Sequence, residues 1–133
     1  MSSQSRIGVR LVRIASVYLL AGLVLGLAMG LGKDFALMSV HSHVLLLGWA
    51  TLAITGIVYL LLPRCAGTRL AAAHFWLHNL GLPVMVAGLT AEALGEPRAE
   101  PFVGLGSTVV VLALGLFTVN VLRNATAADL VRG

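Results

Sequence analysis

The stretch Met38–Arg64, MSVHSHVLLLGWATLAITGIVYLLLPR, decides how the chain is read. It is an almost unbroken apolar run, longer than the ~20 residues a helix needs to cross ~30 Å of hydrocarbon. Two imidazoles, His41 and His43, stand near its start. Working outward, comparable runs cover roughly 11–31, 35–62, 70–94 and 102–122. The connections between them, 32–34, 63–69 and 95–101, are each marked by Gly or Pro.

Composition excludes an ordinary water-soluble domain: of 133 residues, 59% are hydrophobic and 11% charged, with a mean hydropathy of +0.98. The first run is too long, and its successors too similar, for a cleaved signal peptide. Four spanning helices with short connections predict an all-α integral membrane protein, an antiparallel four-helix bundle in one domain over 1–133, with no room for a soluble domain. The single cysteine, Cys65, excludes an intrachain disulfide.

The formal charge of +4 does not point to nucleic acid, because the arginines sit singly at the ends of apolar runs, with no basic face or aromatic interleaving. They set topology instead. Arg6, Arg10, Arg13, Arg64, Arg69, Arg123 and Arg132 share one side, and Lys33 and Arg98 lie on the other. The positive-inside rule then puts both termini in the cytoplasm, most simply of a bacterial plasma membrane, and His41 and His43 in the outer third of the second helix. In the first helix Gly22, Gly26 and Gly30, at four-residue spacing, let another helix approach closely, which reads as packing.

Polar groups at membrane depth are functional candidates by default. At ~100° per residue, His41 and His43 point ~200° apart and cannot share one metal ion from a regular helix. On the His41 side Leu45, Gly48, Leu52 and Gly56 follow, and the glycines there predict a flat notch that a macrocycle could occupy. The His43 side, with Leu47, Ala50, Ile54 and Leu61, is a plain apolar wall. A second pair, His74 and His78 in HFWLHNLG, is spaced i, i+4 on one helical face, where a single divalent metal could be chelated. Against that, His74 falls near the cytoplasmic interface beside Trp76, which reads as an interfacial anchor. Counting along straight helices places His78 about ten residues, roughly 15 Å, below His43, which argues against one shared centre.

The series His41-Ser42-His43, Leu46-Leu47-Gly48, Ala53-Ile54-Thr55-Gly56 and Pro63 resembles the haem-ligating helix of subunit I of the haem–copper oxidases and the related nitric oxide reductases. It is also similar to the His-Ala-His helix of a bacterial haem-containing membrane family linked to nitrosative stress. The resemblance covers about 27 of the 133 residues. In those oxidases the helix stands between two haems and gives one histidine to each. Their twelve helices form three similar arcs of four around a pseudo-threefold axis, so a four-helix chain would be one arc. The resemblance therefore implies a homotrimer with His41 of one subunit opposite His43 of the next and a b-type haem at each interface.

Nothing here resembles the His-Pro-Glu-Val-Tyr of the oxidase copper site, and no adjacent His-His pair follows in the third helix, so the resemblance implies haem without a haem–copper centre. With two imidazole ligands the chemistry narrows to electron transfer or haem sequestration, whereas a five-coordinate iron would admit NO, O₂ or CO. Lys33 and Arg98 are candidates to pair with haem propionates, and Ser42, Thr90 or Glu92 to accept from an imidazole N–H. Tyr18, Tyr59 and Asn120 read as interhelical hydrogen-bond partners. Two other classes stay open: a copper- or zinc-binding membrane protein without haem, with His74 and His78 a possible second metal site, and a non-catalytic accessory subunit. The redox partner is not written in these residues.

Overall fold

The computed structural model describes residues 5–126 and residue 129. Among the described residues every regular element is helical. The long helices are α1 (Ser5–Gly32), α2 (Met38–Leu61), α3 (Arg69–Ala93) and α4 (Glu100–Asn124). A single helical turn, Pro63–Ala66, joins α2 to α3, and a 3₁₀ turn, Pro97–Ala99, precedes α4. Each long helix is long and apolar enough to cross a membrane. Large apolar side chains such as Leu20, Leu27, Leu31, Val111 and Leu122 face outward, an arrangement that suits lipid and not water. This is the architecture of an integral membrane protein.

The helix ends follow from local chemistry. Expected from Phe35, α2 begins instead at Met38, because Asp34 turns the chain by accepting from the Ala36 N–H at 3.0 Å. α1 closes at Lys33, whose φ of 51° is left-handed. Leu62 leaves the helical region ahead of Pro63, as the proline ring favours. The Thr68 side chain caps α3 by accepting from the Ala71 N–H at 3.1 Å. α4 starts with Pro101 in its first turn, where the missing N–H costs nothing.

α1 packs along α2, and α3 along α4, through small residues. A Cβ on Gly8 would lie 2.7 Å from the Gly56 carbonyl oxygen, and one on Gly26 would lie 2.7 Å from the His41 ring, so contacts descend α2 as they ascend α1. Gly106 sits against the Met85 backbone and Gly88 against Val103 in the same manner. Gly30 meets nothing within 4 Å, so the glycine series of α1 packs through Gly22 and Gly26 only. One apolar cluster gathers Leu11, Ala15, Leu52, Tyr59, Cys65 and Ala71, and a second gathers Leu82, Met85 and Val110.

The cytoplasm-facing ends expected from the arginines are tied together by Asn120. Its Nδ2–H donates to the Cys65 carbonyl at 3.0 Å, and its Oδ1 lies 3.0 Å from the Thr68 hydroxyl and 2.9 Å from Asn124 Nδ2. α4 is thereby pinned to the α2–α3 connection. Arg64 and Asp129 stand 3.5 Å apart nearby.

α2 departs from a regular helix. Residues Val44–Thr51 are π-helical between the α-helical Met38–His43 and Leu52–Leu61. Side-chain donors enter the backbone ladder here: the Thr51 hydroxyl donates to the Leu46 carbonyl at 2.8 Å, and His78 Nε2–H of α3 donates to the Leu47 carbonyl at 3.1 Å. Carbonyls supplied from outside no longer need the ordinary i+4 amide, and the ladder opens by a residue per turn.

Candidate functional site

His41 and His43 stand on the last regular α turn before the π segment. His41 faces α1, with its Nδ1 2.9 Å from the Gly22 carbonyl. His43 turns back on its own helix, with its Nδ1 2.8 Å from the Ser39 carbonyl. A carbonyl only accepts, so each Nδ1 carries the proton and each Nε2 presents its lone pair. Neither Nε2 has a hydrogen-bond partner among the described residues, and neither is fully buried. Both rings are thus set in one tautomer with the same nitrogen left as a lone pair, as a metal-ligating imidazole requires.

The groups that orient these rings are backbone carbonyls. Ser42 and Thr90 instead spend their hydroxyls on the Met38 and Val86 carbonyls of their own helices, at 3.0 and 2.7 Å, and Glu92 is exposed. Gly22 and Ser39 were missed as orienting residues because every residue has a carbonyl, and only the fold shows which ones face an imidazole. Gly26 shares in the site by leaving room for the His41 ring.

Gly48 requires a correction. The notch expected on the His41 face is filled by α1: a Cβ on Gly48 would lie 2.5 Å from the Tyr18 ring, and Gly56 is packed against Gly8, Leu11 and Val12. The physical reason is helix pairing, because a glycine stripe that would admit a macrocycle admits a neighbouring helix equally well.

Lys33 and Arg98 are both exposed, on the connections that follow α1 and α3. Lys33 keeps its left-handed backbone without the freedom of glycine. Arg98 stands with Glu96 at the mouth of an open apolar groove of about 350 Å³, walled by Val84, Ala87, Ala91 and Phe102. Glu96 is engaged in accepting from the Arg98 backbone N–H at 3.1 Å, and the Arg98 guanidinium has no carboxylate partner among the described residues.

His74 and His78 lie elsewhere, wholly buried between α2, α3 and α4. His74 is enclosed by helices, while Trp76 beside it is 61% exposed. His74 Nδ1 meets the Tyr59 hydroxyl at 3.2 Å, and its ring packs on Phe117 with centroids 5.3 Å apart. His78 reaches the Leu47 carbonyl, four residues past His43 and so about one turn, ~6 Å, away along α2. No set of three or more His, Cys, Asp or Glu residues among the described residues is placed to hold a metal ion.

No family model matches the chain, and no characterised protein or solved structure matches it either.

Proposed function

We propose that the chain is a membrane b-type haem protein in which His41 and His43 supply axial ligands through Nε2. The observation that carries this reading is that both imidazoles have Nδ1–H tied to a carbonyl and an Nε2 without a partner among the described residues and not fully buried, near the start of an apolar helix. Bound there, haem would supply one-electron redox chemistry, or NO and O₂ binding if one axial position stayed open. The chain's own residues hold and tune it. The Gly22 and Ser39 carbonyls raise the basicity of the ligating nitrogens, and Lys33 and Arg98 offer cations for propionates.

The two rings leave one helix on different sides, so each chain offers two half-sites. An assembly in which His41 of one copy meets His43 of the next is a head-to-tail ring where the rotation closes, and from the resemblance to one of three four-helix arcs we infer a homotrimer. The bundle in this reading is antiparallel, with both termini cytoplasmic in a bacterial plasma membrane, following the arginine distribution.

The test is the visible spectrum of the detergent-purified chain, oxidised, reduced with dithionite, and reduced under CO, together with a mass measurement of the assembly. A Soret band with resolved α and β bands on reduction, unmoved by CO, supports bis-histidine ligation and electron transfer. A CO shift assigns the protein to gas binding. Absence of any Soret band after haem is supplied during expression refutes the reading, and a protomer count other than three refutes the trimer.

A further inference from the structure

The His74–His78 pair takes no part in the haem proposal and has its own chemistry. Both side chains are wholly buried, and each leaves one ring nitrogen with no partner: Nε2 of His74 and Nδ1 of His78. Buried polar atoms are almost always paired, and an unpaired one calls for a bound species or another explanation. Two on adjacent turns of one helix call for it together.

The other nitrogens are fixed. His78 Nε2 faces the Leu47 carbonyl, so it carries the proton, and Nδ1 is left as a lone pair. His74 Nδ1 faces the Tyr59 hydroxyl, which can accept the Nδ1 proton and so leave Nε2 as a second lone pair. The rings are perpendicular, with centroids 5.6 Å apart. Two metal–nitrogen bonds of about 2 Å set in line would put the ring centroids about 6 Å apart, close to that separation.

We propose that His74 and His78 form a two-coordinate site for a soft monovalent cation, Cu(I) in the cell. Zinc nearly always takes four ligands in a closed site, and no third His, Cys, Asp or Glu among the described residues completes a set here. A dication would also bury twice the charge among apolar walls with no carboxylate beside it. A d¹⁰ monocation is satisfied by two collinear imidazoles and carries the smaller desolvation cost. Tyr59 and the Leu47 carbonyl are positioning groups that hold the tautomers, and Phe117 closes the side towards α4.

The test loads the full-length chain in detergent with Ag(I), a redox-inert stand-in, and separately with Cu(I) under anaerobic conditions, followed by desalting and metal analysis. One metal per chain is expected, unchanged in His41→Ala/His43→Ala and reduced at least about tenfold in His78→Leu, a loss typical when a ligand or its orienting partner is removed. Because His78→Leu alters a packed interior, ¹⁵N-histidine spectra of the unaltered chain provide a second readout: Ag(I) should shift one unprotonated nitrogen on each of two rings and leave His78 Nε2 protonated. Retention no higher than in His78→Leu overturns the proposal, as does loss in the His41/His43 variant, zinc retention equal to silver, or an unchanged ¹⁵N spectrum. Retained Ag(I) in a chain that never takes up haem would leave this site standing while removing the haem reading.

Discussion

Substituting Gly26 separates the role of the His41 ring from simple helix packing. An alanine Cβ at this position would lie 2.7 Å from His41 Cε1 and 3.2 Å from Nδ1, against the 3.5–4.0 Å at which carbon contacts are favourable. The ring must retreat by about 1 Å, which carries the 2.9 Å bond to the Gly22 carbonyl beyond hydrogen-bonding distance. Losing that bond costs about 1 kcal/mol, and exchanging Gly for Ala inside a helix returns about as much. Stability of Gly26→Ala should therefore change little. Affinity for haem should fall ~10–100-fold, because the orienting partner of a ligand is gone. Gly30→Ala is the control: its Cβ meets nothing within 4 Å, so it should gain up to about 1 kcal/mol and leave haem binding untouched. Haem titration into the apo chain, followed at the Soret band, reads one quantity, and denaturation in mixed micelles reads the other. Gly26→Ala binding haem within twofold of the parent, or Gly30→Ala losing as much affinity, would refute the argument that the Gly22 carbonyl sets up His41.

Asn120→Ala should destabilise the chain by about 1–3 kcal/mol in the same denaturation assay, since it removes the amide's bonds to the Cys65 carbonyl, the Thr68 hydroxyl and Asn124; a change below about 0.5 kcal/mol would show that the α4 tether is idle. Lys33→Gly should stabilise the chain by about 1 kcal/mol by relieving the left-handed φ of 51°, while a loss of stability would mean that the lysine side chain outweighs the strain. Burial, reinforced by the nearby Asp129 carboxylate, pushes the Cys65 thiol up from its ordinary 9.0. At about pH 8 its alkylation should therefore be slower than that of a free cysteine, and an equal or faster rate would contradict the packing. By linkage, the folded chain holds this proton more tightly than the unfolded one. The resulting stability is present below 9.0 and is lost as pH rises through the raised value, which the pH dependence of the denaturation midpoint reads directly.

The helices were legible because run length and composition report directly on the medium a segment must cross. The ends were less so: α2 starts after an Asp34 turn that the apolar run conceals. VLLLGWAT carries one of the donors that open the ladder, Thr51, but the other arrives from His78, thirty-one residues from the Leu47 it bonds, and has no local signature. The candidate imidazoles could be named from their depth in an apolar run, but their tautomers depend on the Gly22 and Ser39 carbonyls, which have no sequence signature. Glycine spacing gave a surface without saying what covers it: Gly26 faces an imidazole, Gly48 a tyrosine, and Gly30 nothing. That Tyr59 and Phe117 enclose His74 has no sequence signature, because both come from other helices.

The π segment fixes the rotational phase between the two ends of α2. Above it, His41 meets α1 at Gly22 and Gly26; below it, Gly56 meets α1 at Gly8. Rewinding all of Val44–Thr51 into an α-helix, with no residue removed, would turn one end relative to the other by about 100°, the share of one residue. The imidazoles and the lower glycine contact could then no longer engage the same neighbour. Substitutions in this octet adjust packing, but its winding acts as a key that couples the orientation of the histidines to the seating of the hairpin below them.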